Sequence, residues 1–241
     1  MTLAIAVKGT EGIVLAVDSR VTIQLVTPQV TPQGTTNLVL PATYDNATKL
    51  LKPSNQNFVG AVTYGNAVFD PGQPRTAHSF LSEFEATLGD ARISVREFAI
   101  KLGQFYLARW NAAQQTGEPA HFIIGGYDED EPYGRLYSVE IPGQPQPTEL
   151  HVNSFGAQWG GQIAVANGLL GQSPIPYQLL PLQDCIDVAI LAVRTTAELQ
   201  KFVTDIRGVG GPIDVAVITK IEGFRYVQSK SLHGERGVGG Y

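Results

Sequence analysis

Residue 2 is a threonine, directly behind the initiator methionine. A small second side chain favours removal of Met1, which would leave Thr2 with a free α-amine beside its own hydroxyl. A hydroxyl is a weak nucleophile until a base takes its proton. An α-amine titrates near about 7.7–8.0, so much of it is neutral at ordinary pH. One residue can then supply both nucleophile and base. Met-Thr openings are common, so the weight of this reading falls on the residues brought near Thr2. Sixteen residues on, Asp18-Ser19-Arg20 closes the run Gly12–Asp18. Two antiparallel strands with a tight turn between them return Asp18 to the neighbourhood of Thr2.

The elements that hold these residues are legible as patterns. Leu3–Lys8 and Gly12–Asp18 are β-branched runs split by Gly9-Thr10-Glu11, an N-terminal hairpin. Residues 24–41, rich in Thr, Pro and Gln, read as a long hairpin arm or loop. Thr48–Lys52 and Asn57–Thr63 form a second hairpin, turning at Pro53–Gln56. Helical spacing covers Thr76–Leu88 and Val95–Gln115, the latter with an apolar stripe of Phe98, Leu102, Phe105, Tyr106 and Trp110. His121–Tyr127, Gly134–Ile141 and Glu149–Phe155 read as strands. Gly161–Leu170 and Leu182–Phe202 read as helices, and Ile213–Ile221 with Phe224–Gln228 as a last hairpin. Nothing divides the chain, so 1–228 is expected to be one domain and 229–241 a flexible tail. Strands, two helices, strands, two helices and strands in that order suit an α+β fold: two antiparallel sheets face to face with helix pairs outside, a four-layer αββα sandwich.

Composition excludes several function classes. The net charge is −5, with no cluster of Lys and Arg, so nucleic acid is not an expected partner. There is one cysteine, Cys185, inside an apolar helical run; this rules out a disulfide framework. His78, His121, His151 and His233 show no ligand spacing, so neither a metal site nor a cofactor is expected. Gly208–Gly211 lacks the Lys-Ser/Thr of a phosphate loop. Asp128–Glu131 reads as a solvated turn. No apolar run reaches the roughly 18 residues of a membrane span, and the N-terminus lacks a basic region before an apolar stretch. A cytoplasmic location is the expectation.

At Thr2 and Asp18-Ser19-Arg20 the sequence resembles the proteasome β-subunit family of N-terminal-nucleophile hydrolases, gaplessly from Thr2 to Thr22. The resemblance continues through Thr48-Lys49-Leu50-Leu51, Phe58–Ala67, Phe122–Asp128, Leu136–Val139 and Gly210–Ile218, and so covers most of the chain. It implies a threonine-type endopeptidase with Thr2 as nucleophile, Lys49 as the catalytic lysine, and Asp18, Arg20 and Asp205 supporting them. Tyr64 and Gly65 fall on the oxyanion turn, and Val21, Ala47, Val62 and Asn66 on the specificity pocket. It further implies homo-oligomeric rings acting on peptides or proteins; whether an ATPase or other regulator attaches is not legible. Two departures stand out. Asn153-Ser154-Phe155-Gly156 falls where the family has a Gly-Ser-Gly turn near the nucleophile, and Asp205–Gly211 keeps an Asp but no Ser. The arm at 24–41 is an insertion. Two other functions fit the same residues: a catalytically inactive ring or scaffold subunit, and an amidase or transpeptidase with a dedicated acyl substrate.

Overall fold

The computed structural model describes residues 2–31, 34–66, 68–69, 75–203 and 207–232; the side chains of 24–31 and 35–41 are outside that description. The chain is α+β, with every strand pair antiparallel. The N-terminal hairpin is β1 (Leu3–Lys8) and β2 (Ile13–Asp18). Its residues are apolar on both faces because both faces are covered. Leu3, Ile5, Val7, Val14 and Ala16 meet the long helix α4 (Leu182–Leu199) through Cys185, Ile186, Ala189 and Val193. Ala4, Ala6, Leu15 and Val17 turn the other way, onto Leu50, Val62 and Ile123.

Those partners belong to a second sheet. It contains β5 (Leu50–Leu51), β6 (Val59–Gly65), β7 (Ala120–Gly126), β8 (Arg135–Ile141) and β9 (Gln144–Leu150), in that spatial order. The first sheet runs β10-β1-β2-β11-β12, with β10 at Gly156–Gly161, β11 at Ile213–Thr219 and β12 at Gly223–Gln228. The outer face of the second sheet packs on a 3-10 turn (Ala77–Phe80), α1 (Leu81–Leu88) and α2 (Val95–Ala112). A short helix α3 (Ala164–Leu169) lies beside α4. The residues at 21–44 form a separate two-stranded ribbon, β3 (Val21–Thr31) and β4 (Gly34–Tyr44), paired in register from Val21–Tyr44 to Thr31–Gly34.

The aromatic stripe of α2 is core: Phe98, Leu102, Tyr106 and Trp110 are buried under β7 and β8. Ser94 caps the helix, its hydroxyl accepting the N–H of Glu97 at 3.1 Å. The helix ends at Ala112, not Gln115, because its C-cap N–H turns back at Ala113. Two expectations are corrected on the C-terminal side of the second sheet. Glu149–Phe155 is not a strand: β9 ends at Leu150, and His151 and Asn153 take positive φ in a turn. Gly161 does not start a helix; it ends β10. Both misreadings fall on edge strands. Pro145 and Pro147 are tolerated in β9 because one side of it is unpaired, and β10 is half glycine and amide side chains. Neither carries the β-branched signature of a central strand.

The tail does not begin cleanly at 229. The Lys230 ammonium is buried against the Asp214 carboxylate in β11, and the Lys230 N–H donates to the same side chain at 2.9 Å. Residues 233–241, with His233, lie outside the described residues. Among the described residues, no helix is long and apolar enough to cross a membrane.

Gly103 sits mid-helix in α2, where glycine costs about 1 kcal/mol relative to alanine. It is needed there because a Cβ would lie 2.1 Å from the Pro145 carbonyl oxygen of β9. Gly103→Ala is therefore expected to destabilise the protein by about 1–3 kcal/mol despite its better helix propensity. Urea unfolding that shows a stabilised variant would contradict this packing.

Candidate active site

β1 and β2 pair Ala4 with Val17, so the residues flanking this end of the hairpin, Thr2 and Asp18, come together. Asp18 is 1% exposed, and its carboxylate is held by four donors. Oδ1 accepts the Leu3 N–H at 3.1 Å and Lys49 Nζ at 3.0 Å. Oδ2 accepts the N–H groups of Arg20 and Gly210, each at 3.0 Å. Burial pushes this carboxyl above its usual range, and Lys49 and the backbone donors work against that push.

Lys49 enters from the start of β5 in the other sheet. Its ammonium donates to Thr2 Oγ1 at 2.7 Å, to Asp18 Oδ1 and to the Arg20 carbonyl. An ammonium has three donors and no acceptor, so these three oxygens match its charged form. Burial lowers the Lys49 pKa, while Asp18 pulls it back up. Arg20 does not point at Thr2. Its guanidinium forms a two-pronged pair with Asp45, at 2.6 and 2.8 Å, leaving its carbonyl to hold Lys49. This pairing holds the Asp45 carboxyl below its usual range. Asp45 had no signal in the sequence beyond standing ahead of the lysine strand.

The backbone of Thr2 is fixed from β10. Gln162 N–H donates to the Thr2 carbonyl at 2.8 Å. Gly161 lies so close, at φ +99°, that a Cβ there would be 1.8 Å from that oxygen. These contacts correct the placement of Asn153–Gly156. β10 runs antiparallel to β1 with Leu3 opposite Gly161 and Lys8 opposite Gly156. Ser154 and Phe155 are thus at the Lys8 end, about 17 Å along the strand from Thr2. The double glycine in Trp159-Gly160-Gly161-Gln162 was the available signal for the segment that does touch Thr2.

A narrow cleft opens over this cluster, lined by Thr2, Val21, Ala47, Lys49, Thr63 and Asn66 among others. Val62, expected in the pocket, is corrected: it is fully buried between the sheets with Ala4 and Leu15. Side chains alternate along β6, so Thr63 takes the cavity side instead. Its buried hydroxyl finds no hydrogen-bond partner among the described residues. The same alternation separates Tyr64 from Gly65. Thr63 N–H donates to the Lys49 carbonyl, on the β5 side, and two residues on the Gly65 N–H faces that side too. The Tyr64 N–H lies on the β7 side, in register with His121, and the Tyr64 ring stacks on His121 at 4.7 Å. Only Gly65 of the two therefore directs a backbone donor toward the cleft. Asp205 lies outside the described residues. Among those described, no group of His, Cys, Asp and Glu is arranged to hold a metal ion.

No family model matches this chain, and no curated protein does. Solved structures do. An Anbu mutant from Hyphomicrobium sp. strain MC1 matches with a TM-score of 0.63 at 16% identity, over 95% of this chain and 86% of that one. Anbu, an ancestral β-subunit, from Yersinia bercovieri matches with a TM-score of 0.59 at 16% identity, over 93% and 87%. At such identity the likeness establishes a shared fold. It also corrects the resemblance drawn from sequence: the neighbours reported are Anbu proteins, no family model covers the chain, and membership of the proteasome β-subunit family does not stand.

Lys49→Met should expose the linkage between the two buried charges. Without the ammonium, the Asp18 carboxyl rises further above its unfolded value, and a raised carboxyl loses stability as pH climbs through its folded pKa. The variant should therefore lie nearer wild type in denaturation midpoint at pH 5 than at pH 8. A pH-independent deficit would show that Asp18 is not held ionised by Lys49.

Proposed function

We propose that the chain is a threonine-type peptidase acting through the N-terminal nucleophile mechanism once Met1 is removed. One observation carries this reading: Lys49 Nζ touches the Thr2 hydroxyl and the Asp18 carboxylate at once, at 2.7 and 3.0 Å, all three groups being buried. A cation at that distance stabilises the Thr2 oxygen as it becomes anionic. Three acceptor oxygens around Lys49 Nζ match its protonated form, which has no lone pair to offer. The base is then the Thr2 amine, freed by Met1 removal, which takes the Oγ proton directly or through water.

Thr2 Oγ attacks the substrate carbonyl carbon, and the oxygen of that carbonyl becomes anionic against the Gly65 N–H. Collapse breaks the C–N bond, the amine passing the proton to the departing nitrogen, and leaves an ester on Thr2. Water, deprotonated by the same amine, attacks the ester carbon; the acyl C–Oγ bond breaks, the acid leaves, and the amine returns the proton to Thr2 Oγ. The second sheet thus supplies both the lysine and the oxyanion donor, a class of contribution worth about 3–4 kcal/mol of barrier. Thr63, Ala47 and Val21 in the cavity wall favour a small, uncharged side chain next to the cleaved bond. Asp18, Arg20 and, through its carbonyl, the Arg20–Asp45 clasp hold Lys49 in place.

In the same reading the layers stack as helices, sheet, sheet and helices, the four-layer sandwich expected from the element order; the three separate apolar clusters between them support it. The chain acts as one domain, assembles with copies of itself into a ring, and works in the cytoplasm, to which its single buried cysteine is suited.

Intact mass should show loss of one methionine, and a threonine-directed epoxyketone should add one equivalent to wild type and none to Thr2→Ala. Lys49→Met should lower peptide turnover by about 10²-fold or more, and fluorogenic peptides ending in Ala or Val should be cut faster than those ending in Arg or Trp. Full retention of Met1, or adducts that survive Thr2→Ala, would overturn the proposal.

A further inference from the structure

Alternate residues of a strand share one side, so the row that runs along β1 from the active site reads Thr2, Ala4, Ala6, Lys8. Both ends of the row are polar, and they lie about 20 Å apart. Lys8, at the far end, is 5% exposed. Lysines are rarely buried to this degree unless a carboxylate pairs with them. Lys49 has its carboxylate. Lys8 does not: its Nζ donates to the His151 carbonyl at 2.9 Å, and among the described residues it makes no ion pair and no second hydrogen bond. An ammonium buried with a single acceptor recovers little of its lost hydration. A neutral amine in the same place makes that one hydrogen bond as a donor and keeps its lone pair free. Burial accordingly pushes Lys8 below the usual lysine range; Glu149 opposes the shift and Arg135 adds to it.

The amine is buried without being sealed in. Lys8 lines an open pocket of about 260 Å³ with Glu131, Tyr133, Arg135, Glu149 and Phe155, close to the ~300 Å³ at which small-molecule sites begin. The Tyr133 and Phe155 rings meet edge to face, with centroids 5.1 Å apart, and give the pocket an aromatic side. Its other charges are already committed. Arg135 contacts Asp128 at 3.4 Å, Glu131 at 2.5 Å and Glu149 at 3.5 Å. A ligand anion would meet two carboxylates there, and a ligand cation would find both of them taken by Arg135. An uncharged ligand suits the lining best.

We infer that Lys8 is a second nucleophile of this chain, capturing uncharged aldehydes with an aromatic or apolar body as a reversible imine. Desolvation and a neighbouring cation are the two common ways of activating a lysine amine, and both act on Lys8. The Nζ lone pair attacks the aldehyde carbon and forms the C–N bond, the carbonyl oxygen gaining a proton and the nitrogen losing one. Loss of water then breaks the C–O bond and leaves C=N. Amine and aldehyde thus give imine and water, with nothing oxidised and no further reactant. Glu131 and Glu149 line the pocket and can carry the proton from nitrogen to oxygen. The body of the aldehyde lies against Tyr133 and Phe155. This site is separate from Thr2 and does not rest on the peptidase reading.

Wild-type protein treated at neutral pH with benzaldehyde and cyanoborohydride tests this, because the reductant fixes an imine as a stable secondary amine. Fragment-ion mapping assigns each adduct to its residue. Lys8 should be benzylated several-fold faster than the more exposed Lys201. With 4-formylbenzoate, which adds a carboxylate to the same ring, that preference should disappear. Phe155→Ala should slow the benzylation of Lys8 several-fold and leave its methylation by formaldehyde unchanged, since formaldehyde has no body for the aromatic side to hold. Labelling of Lys8 no faster than that of Lys201 would overturn the nucleophile. A preference that survives with 4-formylbenzoate, or that ignores Phe155→Ala, would overturn the assigned ligand class.

Discussion

The site depends on one buried arrangement, a lysine and an aspartate that neutralise each other while sharing the threonine between them. Burying two charges is unfavourable unless geometry and extra hydrogen bonds recover the lost hydration. Here they do. Asp18 receives three backbone N–H groups besides the ammonium, and Lys49 spends its three donors on three oxygens. Each partner comes from a different sheet. The pair can form only when the two sheets are seated face to face, so assembly of the core and assembly of the site are one event.

The rest of the fold serves that seating. Small residues on the inner face of the N-terminal hairpin, Ala4 and Ala6, let the second sheet approach. β10 clamps the Thr2 carbonyl through Gln162, and the Gly210 N–H closes over Asp18 from the loop before β11. Asp45 and Arg20 tie the two ends of the ribbon together, and the Arg20 carbonyl accepts from Lys49. A threonine hydroxyl is ordinary chemistry on a surface. Here Thr2 is 4% exposed, and its hydroxyl accepts from the buried Lys49 ammonium.

The shared fold with Anbu structures at 16% identity fits this picture of a common frame around divergent details. The β3–β4 ribbon leaves the body just after Arg20 and returns at Asp45, and the pairing of these two residues closes its base.

The hairpin from Leu3 to Asp18, the aromatic stripe of α2 and the long α4 were legible in the sequence because each carries a strong hydrophobic period and buries it locally. Thr2 and Asp18 stood out as candidates from the hairpin spacing, and the structure brings both to Lys49. Edge strands were not, since β9 with its prolines and β10 with its glycines lack the pattern that burial on two faces imposes. Nor could the sequence separate Val62 from Thr63, or Tyr64 from Gly65, because a one-residue difference in register sends neighbouring groups to opposite sides. Composition and periodicity determined which segments had to be inside. Only the tertiary structure decided which atoms meet, because Lys49, Gly161, Gln162 and Gly210 reach Thr2 and Asp18 across strand pairings and sheet contacts that no local spacing encodes.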